Sequence, residues 1–458
     1  MLKYLTGNNH RLYWIVFHSI LGAFSILTPW LLIIWFYFVL LTSIPLFLKK
    51  SEDHFFKFTS LIVYVVSFEL LSRMSKAYPL IPWEMGKYLL FLLLTAGILM
   101  KYRRGTVGWI LLVLLLPSLF IDESDQVWFK NIIFNLLGPV NVALAVVYFK
   151  NQIVSAEEFI SLLRLFALPA ISVLTFVVIK APNLEHIEFT LGTNFETAGD
   201  FGSNQVSTIL GLGVFLAYLF WRNRWNLSGY RWLDFGLLIL FTIRGLLTFS
   251  RGGMIGGALG IIIFLLLDRE MTGDRRKIKP LKSILTAIPI IIILAVTFTY
   301  ANKVSGGLLS KRYQGETPGT LAGRKEKTLN VFTSNRLQIF NDDLKLWKEH
   351  PILGVGVGAS RYLRDKSEGF LSHIEISRLL SEHGALGLLY ILILLKLGWD
   401  IIRCQNRMPH GAILATLYIV ALFTTFHSAM RTYVSPLFFG LSMLTIIEEG
   451  HNELENES

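Results

Sequence analysis

Apolar runs long enough to cross a hydrocarbon core recur along almost the whole of this sequence, and no other feature restricts its fold as much. A bilayer core about 30 Å thick is crossed by a helix of about 20 apolar residues. In lipid the backbone must satisfy its own hydrogen bonds, so each run is expected to be a helix. About fourteen windows can be drawn, several only about 15 residues long and therefore tilted, re-entrant or not spans at all. The expected fold class is an all-α polytopic membrane protein with about 12–14 transmembrane helices and one long extracytoplasmic helical loop. Composition agrees. Only 16% of residues are charged and 53% are hydrophobic, with mean hydropathy +0.54, against roughly a quarter charged for a soluble domain. A soluble fold is excluded.

The single cysteine, Cys404, removes intramolecular disulfides and cysteine-based metal clusters. The first apolar run lacks a small-residue cleavage site and is followed at once by another, so it reads as an uncleaved helix. The net charge of +11 is explained by cytoplasmic loops and anionic lipid rather than by nucleic acid. Lys49/Lys50, Lys101/Arg103/Arg104, Arg222/Arg224/Arg231, Arg275/Arg276/Lys277/Lys279 and Arg403/Arg407 fall in alternate connections, which the positive-inside rule assigns to the cytoplasm. Asp122/Glu123/Asp125 and Glu185/Glu188/Glu196/Asp200 fall in intervening ones. An even span count then returns both termini to the cytoplasm.

One connection breaks the pattern. From about Ala301 to Glu382 the chain is long, polar and net basic on the expected outer side. Five stretches follow: N-terminal membrane helices over 1–200, further membrane helices over 201–300, a loop domain over 301–383, C-terminal membrane helices over 384–447, and a polar tail over 448–458. Within the loop, Ser334 or Asn335 is placed to cap a helix with Leu337, Phe340, Leu344 and Trp347 on one face and Asp342, Asp343, Lys345 and Lys348 elsewhere. His350-Pro351 should end it, because the residue before proline is pushed out of the α region. Gly354, Gly356 and Gly358 then alternate. On spacing alone they mark a flexible turn, since no strand–helix–strand context supports a dinucleotide fingerprint.

Charge at depth is expensive and needs a partner, so cations at the outer ends of spans carry the most information. Arg251, in Ser250-Arg251-Gly252-Gly253, is one, with Arg244 two turns below on the same helical face. Arg336 is another, at a helix start where a guanidinium and free amides together suit an anion. His373 stands directly before the span near Gly384, where a near-neutral imidazole can take a proton from a hydroxyl. His383 and the His427/Arg431 pair are weaker candidates of the same kind. The loop holds no carboxylate pair at metal-ligand spacing, so no essential divalent metal and no cofactor is expected.

Taken together, Ser250-Arg251-Gly-Gly, Arg336 leading through a helix to the His-Pro and the alternating glycines, and His373 before Gly384 and Gly387 resemble the O-antigen ligase and Wzy-type polymerase superfamily. The resemblance covers roughly residues 200 to 440. In that family the histidine is commonly followed by Asn, Ser or Gln; here Ile374 stands there, which favours polymerase over ligase. The resemblance implies a metal-independent, inverting glycosyltransferase of the bacterial inner membrane, acting on the extracytoplasmic side with a glycan on polyprenyl (undecaprenyl) pyrophosphate as donor and a glycan or lipid as acceptor. It implies Arg251 and Arg336 on the pyrophosphate and His373 on the acceptor hydroxyl as the catalytic set. Arg244, Ser250, Gly354, Gly356, Gly358, Arg361 and Arg431 make up the expected substrate-binding set. A chain-length regulator or a flippase is the expected working partner. A ligase acting on lipid A-core is the alternative within the class, and a lipid-linked oligosaccharide flippase the alternative outside it.

Overall fold

The computed structural model describes residues 10–48, 53–180, 194–268, 270–272, 275–277, 292, 294–324, 326–370, 372–404, 410–428, 430 and 432–448. Arg431 and the tail from 449 onward lie outside the described residues. The helices used below are α1 Arg11–Leu27, α2 Trp30–Leu48, α3 His54–Met74, α4 Met85–Leu99, α5 Thr106–Phe120, α6 Phe129–Phe149, α7 Ala156–Lys180 and α8 Ser203–Arg222. They continue with α9 Arg231–Leu247, α10 Arg251–Leu267, α11 Arg336–Glu349, α12 Glu375–Cys404, α13 Gly411–His427 and α14 Val434–Leu441. Six of them (α2, α3, α6, α7, α8 and α12) are long and apolar enough to cross a membrane, and five shorter apolar helices accompany them. The chain is an all-α polytopic membrane protein.

Two compact units interleave in sequence. One comprises residues 1–86, 154–322 and 448–458; the other comprises 87–153 and 323–447. The polar stretch after residue 300 is thus divided between them at 322/323.

In the first unit, α10 packs on α8 through small residues. A Cβ on Gly253 would lie 2.1 Å from the Ser207 carbonyl carbon, and one on Gly257 2.2 Å from the Gly211 oxygen. Without a hydrophobic drive between helices in lipid, such close backbone approach supplies the dispersion contacts that hold them. Gly253 of the Ser-Arg-Gly-Gly stretch therefore has a packing duty that fixes where α10 begins.

In the second unit, α12 is kinked at Gly384, whose backbone (φ 59°, ψ −134°) is open only to glycine. The kink separates a charged entrance, Glu375, Arg378 and Glu382, from the apolar remainder of the helix. The alternating glycines make a strap against that entrance. Gly354, Gly356 and Gly358 all have positive φ (72°, 94° and 84°). The Val355 and Gly356 amides donate to the Ser381 and Glu382 carbonyls at 2.9 and 3.2 Å, and the Val357 amide to Ser118 at 3.3 Å. The expected flexible turn is instead a hydrogen-bonded strap.

Helix α11 ends at Glu349 with His350 in the C-cap, as the His-Pro pair predicts. Its buried face differs from the expected one: Ile339, Asp342, Asp343 and Leu346 are buried, while Leu337, Phe340, Leu344 and Trp347 are half-buried or exposed. Asp342 accepts from Gln338 Nε2 (2.7 Å) and Ser367 Oγ (2.6 Å). Asp343 accepts from Arg364 Nε (2.7 Å) and Ser377 Oγ (2.6 Å). Two carboxylates that periodicity assigns to solvent are the groups that fasten this helix to the 360–377 segment.

Candidate functional site

The candidate residues fall into two groups, one in each unit. In the first, Ser250 occupies the N-cap of α10 with extended backbone, directly after Phe249 at φ 54°. Its hydroxyl does not cap its own helix. It donates to Asn204 Oδ1 at 2.8 Å and accepts from Ser207 Oγ at 2.9 Å, both on α8. Side chains in the first turns of α8 thus hold the turn that presents Arg251. Arg244, lower on α9, donates to the Val178 carbonyl at 3.2 Å.

Two residues that sequence reasoning did not single out join Arg251. Arg312 donates from Nε to the Phe249 carbonyl at 3.2 Å and from Nη1 to the Glu316 carbonyl at 3.4 Å. Burial first, and then the neighbouring Arg251 charge, lower the Arg312 guanidinium below its ordinary value. Tyr313 packs edge-on against Phe298, with centroids 5.6 Å apart. Burial pushes its hydroxyl up to about 12, with the Arg251 charge pulling the other way. Tyr313 lines an apolar cavity of about 250 Å³ together with Leu246, Met254, Ile255 and Phe298 among others. Arg251 and Arg312 lie within electrostatic reach of each other, a pairing of like charges that suits an anionic ligand.

In the second unit, Arg336 is the first residue of α11. The expected free amides at this helix start are not free: the Leu337 amide donates to Thr333 Oγ1 (3.3 Å) and the Gln338 amide to Asn330 Oδ1 (3.1 Å). Asn335 sits in the N-cap in the left-handed region without a side-chain cap, so Thr333 and Asn330 do the capping expected of Ser334 or Asn335. An anion here would meet the guanidinium rather than the helix terminus. Arg336 lies within electrostatic reach of His427, at the end of α13.

His373 is half-buried in the short segment that leads into α12. Its neighbour Ser372 lines a cavity of about 200 Å³ together with Asn131, Phe134, Asn135, Gly358, Ser360, Arg361, Tyr362, Arg364, Arg378 and Glu382. Two of the candidates, Gly358 and Arg361, are therefore brought to one cavity beside His373. Gly354 and Gly356 are not among its lining residues. Their close approach to Glu382 and to the Ile121 carbonyl serves the strap. His383 is buried, with Nδ1 2.6 Å from Ser118 Oγ.

Under that cavity the charges are already matched. Arg364 pairs with Asp343 at 2.7 Å. Arg378 pairs with Glu375, stands 4.0 Å from Glu382 Oε2, and donates to Asn135 Oδ1 and O at 2.5 and 2.8 Å. Glu382 accepts from Ser360 Oγ at 2.9 Å. The signal for this network was present in the Glu375/Arg378/Glu382 spacing, which puts all three on one helical face.

No curated protein matches the chain. Residues 235–392, from within α9 to within α12, match the family model described as O-antigen ligase. The matched stretch contains every candidate named from the sequence except His427 and Arg431. That match, over about a third of the chain, supports the resemblance of this membrane protein to the O-antigen ligase and polymerase superfamily.

Proposed function

We propose that this chain polymerises polysaccharide repeat units, moving a glycan from a polyprenyl (undecaprenyl) pyrophosphate donor to an acceptor sugar on the outer side of the bacterial inner membrane. The observation that carries this reading is the confinement of Ser250, Arg251, Arg336, the glycine strap, Arg361 and His373 to the single stretch matching the O-antigen ligase model. Arg251 and Arg336 neutralise the pyrophosphate and favour its departure; stabilising developing charge with fixed donors is usually the largest catalytic contribution. His373 removes the proton from the acceptor hydroxyl as that oxygen attacks the anomeric carbon. Attack from the face opposite the leaving group inverts the anomeric centre, and no metal is required once guanidiniums carry the charge.

The family description itself favours a second reading, a ligase that transfers the finished glycan to a lipid acceptor. Purified protein given only a lipid-linked repeat unit separates the two. A ladder of lengthening products supports the polymerase; product only after addition of a separate lipid acceptor supports the ligase. Transport is tested in the same vessel, since transfer in detergent, without two compartments, contradicts a flippase.

A further inference from the structure

We infer that the cavity beside His373 is a binding subsite for one neutral pyranose ring, the acceptor's terminal sugar; its role as an acceptor site rests on the glycan-transfer reading above. Size is the first argument. At about 200 Å³ the cavity falls below the ~300–1,000 Å³ of drug-sized sites, so it holds a single ring rather than an oligosaccharide.

Charge is the second. The buried cations in the wall, Arg364 and Arg378, are matched by Asp343 and by Glu375 with Glu382. An entering anion would face Glu382, with only the half-buried Arg361 among the lining cations not paired with a carboxylate, and a buried charge without a full partner is costly. A neutral, hydroxyl-rich ligand meets no such penalty.

The third argument is the polar capacity that remains. Arg361 uses only Nε, on the Gly369 carbonyl at 2.7 Å; among the described residues its terminal nitrogens have no hydrogen-bond partner. Asn131 donates from Nδ2 to the Tyr362 hydroxyl at 3.1 Å, leaving Oδ1 to accept and the Tyr362 O–H to donate. Phe134 and Tyr362 bring aromatic rings to the same cavity. The Arg361 guanidinium lies 5.8 Å from the Tyr362 centroid, which steadies both side chains. A pyranose offers the complement: equatorial hydroxyls that donate and accept, and an apolar C–H face for an aromatic ring. Ser372 lines the cavity and His373 follows it in sequence, so the subsite lies one residue along the chain from the histidine proposed to take the acceptor's proton.

Saturation-transfer NMR on the full-length protein tests this, in a detergent without a sugar headgroup. The probes are the methyl glycosides of glucose, galactose, mannose and N-acetylglucosamine, with inorganic phosphate as a separate arm. At least one glycoside should show transfer, weakened roughly tenfold by Asn131→Ala, the loss of about one hydrogen bond. Tyr362→Phe keeps the ring and its packing but removes the hydroxyl, and should also weaken the signal. Absence of glycoside binding, binding indifferent to both substitutions, or an Asn131-dependent response to phosphate alone overturns the subsite. None of these readouts needs a donor. Glycoside binding without transfer by the wild type would remove the transfer reading and leave the sugar site, whereas transfer in variants that also keep glycoside binding would remove the sugar site alone.

Discussion

Replacing Asp343 with alanine should unfold the second unit at a markedly lower temperature. The Asp343 and Arg364 side chains are 0% and 1% exposed. Asp343 is the only carboxylate hydrogen-bonded to Arg364 among the described residues. In Asp343→Ala the guanidinium keeps the Phe370 carbonyl (2.7 Å) and Ser360 Oγ (3.2 Å) but is left a buried charge without a counter-ion. Breaking such a pair from one side costs about 3–5 kcal/mol. At about 2–4 °C per kcal/mol for a unit of this size, the midpoint falls by about 6–20 °C.

The cost is assigned to the orphaned charge rather than to lost volume, and that assignment is open to test. Asp343→Asn retains an oxygen for Arg364 Nε and should lose roughly half as much, a charged hydrogen bond being worth about twice a neutral one. Asp343→Leu with Arg364→Met removes both charges, and replacing a buried pair by apolar groups is often neutral or stabilising. Thermal unfolding of the purified protein in detergent measures all three. A double variant as unstable as Asp343→Ala, or an Asp343→Ala midpoint within about 2 °C of wild type, refutes the reasoning.

Four further outcomes follow from the same structure. Arg251→Ala and Arg336→Ala should each reduce glycan transfer by about 100-fold or more with unfolding midpoints unchanged, and Arg336→Lys should rescue poorly because a point charge does not reproduce a planar fork; a lysine variant at wild-type rate contradicts this. His373→Ala should abolish transfer while donor binding persists; near-full activity would remove the proton-transfer role. Ser250→Ala breaks the link to Asn204 and Ser207 and should lower the transfer rate about tenfold through misplaced Arg251, with little change in thermal stability; an unchanged rate means the turn holds itself. Gly356→Ala places a Cβ 1.9 Å from the Ile121 carbonyl at φ 94° and should fail to accumulate as folded protein, whereas Gly236→Ala, with open space around it, should be tolerated.

Much of the membrane architecture was legible because lipid leaves so few alternatives: hydropathy and length alone mark α3, α6, α7, α8 and α12. The end of α11 was legible for an equally local reason, the proline after His350. Its buried face was not. Periodicity sorts residues by polarity, and it sends Asp342 and Asp343 outward. Their burial depends on Arg364, Ser367 and Ser377, which lie outside any local window. The glycine strap was misread for the same reason, since the carbonyls that fix it belong to Ser118, Ser381 and Glu382. The cavity needed information just as distant, for Asn131 and Tyr362, which line it and share a hydrogen bond, are 231 residues apart in sequence.

The position of His373 follows from a conflict between two demands on α12. A helix that enters a bilayer should be apolar, yet its first turns carry Glu375, Arg378 and Glu382, each buried. Charges of this kind persist in such a setting only when matched, and matching them takes Asn135 from α6 and Ser360 beyond the strap, with the Met430 amide donating to Glu375 Oε2 at 3.1 Å. Gly384 then turns the chain so that the apolar remainder runs in its own direction. The charged entrance is thereby held by contacts with three separate segments, and His373 stands two residues before it in sequence. The acid–base role proposed for His373 requires a fixed orientation, which a free loop would not give. Close to this entrance in sequence, and next to the Ser372 that lines the cavity, His373 is placed to meet that requirement under the proposed role.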